Sequence, residues 1–85
     1  MKVRFFRNII LENGSISELA FTYYELCQEL KVRAEKGMYD YLCHRGEAHN
    51  LLMNALREKV DIDMENDRDD VHEAVMEIFG GRNEE

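Results

Sequence analysis

A mainly α fold is expected of this sequence: one small three-helix domain, with an α+β variant if two short segments pair as strands. Three observations carry that expectation. The 85 residues contain no proline and only five glycines, so little interrupts helix formation. Apolar residues recur at three- and four-residue spacing over most of the chain, and strict alternation is confined to two short stretches. At this length one hydrophobic core is all the chain can build, which predicts a single domain over 1–80 and a mobile acidic tail over 81–85.

At the N-terminus Val3 and Phe5 alternate with Lys2, Arg4 and Phe6, predicting a short strand with a basic face. Asn13-Gly14 is a turn signal. Ser15 and Glu18 stand three apart as a capping box, each side chain able to satisfy a free backbone N–H where a helix starts. From there Ile16, Leu19, Ala20, Tyr23, Leu26, Cys27, Leu30 and Ala34 form a continuous apolar stripe that ends at Gly37, placed to act as a left-handed cap. A helix of this span is roughly 30 Å long, the spine of so small a domain. Met38, Tyr41 and Leu42 begin a second helical repeat, which Ala48, Leu52, Ala55 and Leu56 continue past Gly46; the expectation is a kinked or interrupted arm. Val60, Ile62 and Met64 then alternate with Asp61, Asp63 and Glu65, predicting a half-buried strand with an acidic outer face. Paired with the first strand, it would oppose Lys2 and Arg4 to Asp61 and Asp63. Asp67, Asp69 or Asp70 can cap a last helix that carries Val71, Val75, Ile78 and Phe79 and closes at Gly80.

The formal net charge of −7 is unevenly placed. Residues 1–57 hold eight basic and seven acidic side chains; from Glu58 onward eleven acids face three bases. Such a surface repels nucleic acid, whose binding rests on clustered Lys and Arg, and steers encounters with basic partners. No apolar run approaches the roughly 18 residues of a membrane helix, and Arg7, Asn8 and Glu12 interrupt the one stretch resembling a signal peptide. Two cysteines, Cys27 and Cys43, are too few for a disulfide scaffold and fit buried, reduced thiols, so the expected location is the cytoplasm.

Several constellations invite a chemical reading and fall short of it. Asp61, Asp63, Glu65, Asp67 and Asp69 imitate an EF-hand calcium loop, but Asn66 replaces the turn glycine and His72 the bidentate glutamate, leaving a degenerate loop as a minor alternative. Cys27, Cys43, His44 and His49 lack zinc spacing, and residues five apart on a helix diverge by about 140°. His44, His49 and His72 are expected at the surface or at helix ends. Ser15, Ser17 and Thr22 have no motif that supplies a His-Asp partner, and no phosphate loop, dinucleotide-binding glycine pattern or HExxH occurs, so neither an enzyme nor a cofactor is expected.

The expected function is therefore a non-catalytic intracellular regulator or inhibitor that docks a protein partner with a basic surface. Asp61, Asp63, Glu65, Asp67, Asp69 and Asp70 would supply the charge, in a narrower version by imitating nucleic-acid phosphates, while Phe21 or Tyr24 supplies an apolar anchor. Phe21, Tyr24 and Val32 lie off the main stripe, an apolar surplus that suits a homodimer. The alternative is a structural or assembly subunit held by apolar self-association.

Overall fold

Val3, Phe6 and Ile10 fall within about 60° of one another on a helix of 3.6 residues per turn, and all three are buried. The chain accordingly begins with a helix, α1 (Val3–Glu12), where a strand was expected. The period-two pattern of Val3 and Phe5 has no structural counterpart: Phe5 is exposed, while Phe6 is wholly enclosed. The computed structural model describes residues 2–80, and the expected tail 81–85 lies outside them. After α1 come α2 (Gly14–Arg33), α3 (Lys36–Arg45), α4 (Glu47–Arg57) and α5 (Arg68–Val75), the last running directly into a π-helical turn over Met76–Gly80. Among the described residues there is no strand.

Because α1 extends to Glu12, Asn13 alone joins it to α2, and the expected capping box does not form. Ser15 sits inside the first turn of α2, whose N-cap is Asn13 without a side-chain cap. The joint instead satisfies the end of α1: the Asn13 amide side chain donates to the Ile9 carbonyl at 2.7 Å, and the Ser17 hydroxyl donates to that of Ile10. Helix α2 buries Ile16, Ala20, Tyr23 and Cys27 along one stripe. It stops at Arg33, since Ala34 and Glu35 are extended, and Gly37 falls within α3. No glycine among the described residues has positive φ, so the left-handed cap expected at Gly37 is absent.

Gly46 separates α3 from α4. Its N–H donates to the Leu42 carbonyl at 2.9 Å, and a Cβ added there would stand 2.3 Å from that oxygen. The need is for close approach rather than an unusual dihedral, as φ is −74°. Beyond α4, Val60, Ile62 and Met64 pack against the core while Asp61, Asp63 and Glu65 are exposed. The inside-outside alternation is therefore real, but the segment finds no ladder partner because α1 is helical.

Helix α2 is the spine: α1, α3, α4, α5 and the π turn all pack on it, and α1 also packs extensively on α5. The core joins Phe6 and Ile10 to Ile16, Ala20 and Tyr23, with Leu52, Met53 and Leu56 from α4 and Val71, Ala74 and Val75 from α5. Cys27 and Cys43 form a disulfide between α2 and α3, with Cα atoms 5.7 Å apart and both side chains buried. This corrects the expectation of free thiols. The pair are 16 positions apart with no motif between them, and they meet only because α3 folds back along α2. No helix among the described residues is long and apolar enough to cross a membrane.

Candidate functional site

The six carboxylates expected to face a partner divide by what they touch. Asp67 is buried at the N-cap of α5, where its Oδ2 accepts the Asp63 N–H at 2.8 Å and lies 3.7 Å from Lys2 Nζ. Asp63 accepts the backbone N–H groups of Glu65 (2.9 Å) and Asn66 (3.1 Å) and the Asn66 side-chain amide (2.7 Å). Those hydrogen bonds, that of the Asn66 backbone foremost, hold its carboxyl below the usual range for aspartate. Asp70 accepts the Lys2 backbone N–H at 3.1 Å. This corrects the expected ladder, which opposed Lys2 and Arg4 to Asp61 and Asp63: with α1 helical, Lys2 reaches Asp67 and Asp70 at the start of α5 instead. Arg4 makes no ion pair with Asp61 or Asp63.

Asp61, Glu65 and Asp69 are left exposed. Glu65 lies 3.9 Å from Arg45, and Asp69 lies 4.0 Å from the His44 ring. An exposed Arg–Glu pair at this distance contributes about 0–1 kcal/mol and leaves the surface acidic.

Phe21 is 44% exposed and Tyr24 is half-buried. The π turn brings Phe79 edge-on to Phe21, with ring centroids 5.3 Å apart, and within 6.0 Å of Tyr24. Phe79 thereby joins an aromatic patch it was not assigned to. The acids cluster at the N-terminal end of α5 and the aromatics at the far end of its π turn, on the order of 15–20 Å away along the helix axis. The charged and apolar groups do not form one continuous patch.

A polar cluster that sequence reasoning missed lies inside the fold. Tyr23 from α2, His44 from α3, His49 from α4 and His72 and Arg68 from α5 converge there. The Tyr23 hydroxyl is hydrogen-bonded to His72 Nδ1, the Tyr23 and His49 rings are 5.0 Å apart, and those of His44 and His72 are 4.1 Å apart. Arg68 donates to the His44 carbonyl and to Asn50 Oδ1, both at 3.0 Å. His49, expected at the surface, is 0% exposed, and neither ring nitrogen has a hydrogen-bond partner. Its signal was present: His49 stands in phase with Leu52, Met53 and Leu56 on the buried stripe of α4.

Burial, followed by the charges of Arg68, His72 and His44, lowers the His49 pKa to about 3. Burial likewise lowers His72 to about 4, with His44 adding to the shift and Asp40 and Asp69 opposing it. Burial raises Tyr23, so this bond joins a neutral hydroxyl to a neutral imidazole, and the His72 tautomer sets which of the two donates. Among the described residues no three His, Cys, Asp or Glu side chains are grouped to hold a metal. In the segment that imitates a calcium loop, Asp63 and Asp67 accept backbone N–H groups, and the cysteines of the zinc set are joined in the disulfide.

Compared with protein-family models, curated proteins and solved structures, the chain matches none.

Proposed function

We propose that this protein is a non-catalytic docking module, a regulator or inhibitor that grips a basic protein surface through the exposed carboxylates Asp61, Glu65 and Asp69. The observation that supports this reading is their exposure, with Arg45 at 3.9 Å from Glu65 as a weak counter-charge, in a segment where acids outnumber bases. Charge of one sign left unneutralised accelerates encounter with a surface of the other sign. Phosphate imitation would need a longer uninterrupted row, and Asp63 and Asp67 are committed to the backbone; plain electrostatic docking is the version adopted. Phe21, Tyr24 and Phe79 serve as a second, separate anchor.

The test is capture from the native host's lysate at about 50 mM and about 500 mM salt, using the wild type and the variant D61N/E65Q/D69N. A partner with a basic surface should be held by the wild type at low salt, lost at high salt and not held by the variant. Equal capture by the variant rejects the reading. Asp63 and Asp67 are left intact because neutralising them would disturb the loop itself.

The cytoplasmic location belongs to this proposal, and the buried disulfide bears on it, since cytosolic disulfides are typically transient or redox-sensing. A second reading, self-association, is favoured by the exposure of Val32 (86%), Met38 (61%) and Tyr41 (64%) around the α2–α3 connection. A salt-insensitive dimer in sedimentation, abolished by Val32→Glu with Tyr41→Glu, would support it over docking by a monomer.

A further inference from the structure

Among the described residues of α3, Cys43 is the one fully buried side chain. Lys36, Gly37, Met38, Asp40 and Tyr41 are exposed, and Tyr39, Leu42 and His44 are half-buried. The other ties of this helix are half-buried or at the surface: Tyr39 against the edge of the core, Arg68 to the His44 carbonyl, the His44 ring on His72, and the long contacts of His44 with Asp69 and of Arg45 with Glu65. A helix with so little apolar surface in the core is held weakly by packing. Both of its ends are jointed, at the extended residues Ala34 and Glu35 and at the Gly46 break three residues beyond Cys43. The covalent bond to Cys27, on the rigid spine helix, therefore holds the C-terminal half of α3.

We propose that Cys27 and Cys43 form a redox-sensitive clamp: the closed disulfide fixes α3 on α2, and reduction releases α3 as a unit while the other helices stay packed. A dithiol reductant supplies the two electrons. Its thiolate attacks one cysteine Sγ, the S–S bond breaks, and the other cysteine leaves as a thiolate and takes up a proton. The reductant's second thiol, losing its proton, then displaces the first cysteine, which is also protonated, and the reductant ends as its own disulfide. A low-molecular-weight disulfide reverses both exchanges. Because both sulfurs are buried, attack waits on local opening of α3. Release would uncover the Cys27 face of α2 and the His44–His72 contact, so the state of one bond decides whether a new surface is presented. The inference does not depend on the acidic docking reading.

The test begins with protein purified without reductant, denatured, alkylated with iodoacetamide and weighed intact. No adduct is expected before treatment with dithiothreitol, and two are expected after it. Hydrogen exchange of the native protein should then show peptides from α3 exchanging at least about tenfold faster on reduction, with α1, α4 and α5 unchanged. The variant C27A/C43A should reproduce the reduced pattern without reductant; if it does not fold, reduced wild type decides the matter. Two adducts before reduction, unchanged exchange in α3, or acceleration across the whole chain together would each overturn the clamp.

Discussion

The hydroxyl of Tyr23 on α2 is hydrogen-bonded to Nδ1 of His72 on α5, 49 positions along the chain, at the centre of the one polar cluster described within the core. Both groups are neutral at pH 7, so the bond ties the spine to the last helix without burying a charge. Tyr23→Phe keeps the ring contacts with His49 and His72 but leaves Nδ1 unpaired. It should lower stability by about 1–2 kcal/mol, read as a lower urea midpoint with an unchanged slope.

Stability should fall as the solution is made acidic. His49 and His72 have folded-state pKa values of about 3 and about 4, below the 6.5 of an exposed histidine. A depressed histidine binds fewer protons folded than unfolded, so its stabilising effect is full above pH 6.5 and is lost as pH falls from there toward the folded pKa. Each should cost about 2 kcal/mol between pH 7 and pH 5. The lowered carboxyl of Asp63 acts in the same direction at lower pH. Thermal melts at a series of pH values should show the melting temperature dropping from pH 7 to pH 5; a flat profile would show that the histidines are not enclosed.

His49 gives a sharper version of the same test. Neither of its ring nitrogens has a partner, so His49→Leu forfeits no hydrogen bond and removes two buried polar atoms. The variant should be as stable as the wild type at pH 7, or more stable by about 1–2 kcal/mol, and should lose about half of the pH dependence. Chemical denaturation at pH 7 and pH 5 measures both.

Two glycines should respond in opposite directions to the same change. At Gly46 an added methyl would meet the Leu42 carbonyl, which the backbone cannot move without breaking the α3–α4 joint, so Gly46→Ala should cost at least about 2 kcal/mol. At Gly37, within α3, nothing lies within 4 Å of an added Cβ. Gly37→Ala should stabilise by about 0.5–1 kcal/mol through helix propensity. Paired thermal melts check the two signs together.

Neighbouring aspartates should separate in the same way. Asp67→Ala removes the acceptor of the Asp63 N–H and the counter-charge of Lys2, and should cost about 1–3 kcal/mol. Asp69→Ala, exposed and 4.0 Å from His44, should change stability by no more than about 0.5 kcal/mol. In the capture experiment the order should reverse, with Asp69 affecting partner retention at unchanged folding.

Much of the helical core was legible because it rests on one-dimensional periodicity. The stripe Ile16, Ala20, Tyr23, Cys27 enters the core as spaced, as do Leu52 and Leu56, because a helix converts three- and four-residue spacing into one face whatever it packs on. The N-terminal segment misled because two residues at period two are too few to outweigh Phe6 and Ile10. At Val60–Met64 the alternation truly marks which side is covered, yet coverage comes from the helical core, and a ladder needs a second strand that only the fold could supply.

Of the candidate site, the sequence identified the acidic segment, but it could not sort Asp63 and Asp67 from Asp61, Glu65 and Asp69. That division depends on which backbone N–H groups the loop turns toward each carboxylate.

By itself the sequence determined the helical character of the chain, the spine helix and the concentration of negative charge after Glu58, all of which follow from local spacing and composition. Tertiary structure alone decided that Cys27 meets Cys43, that Tyr23 meets His72 and that His49 is sealed inside, since each depends on helices far apart in the chain being packed together. Local patterns set the face that a helix turns inward; only the completed packing sets which residue it finds there.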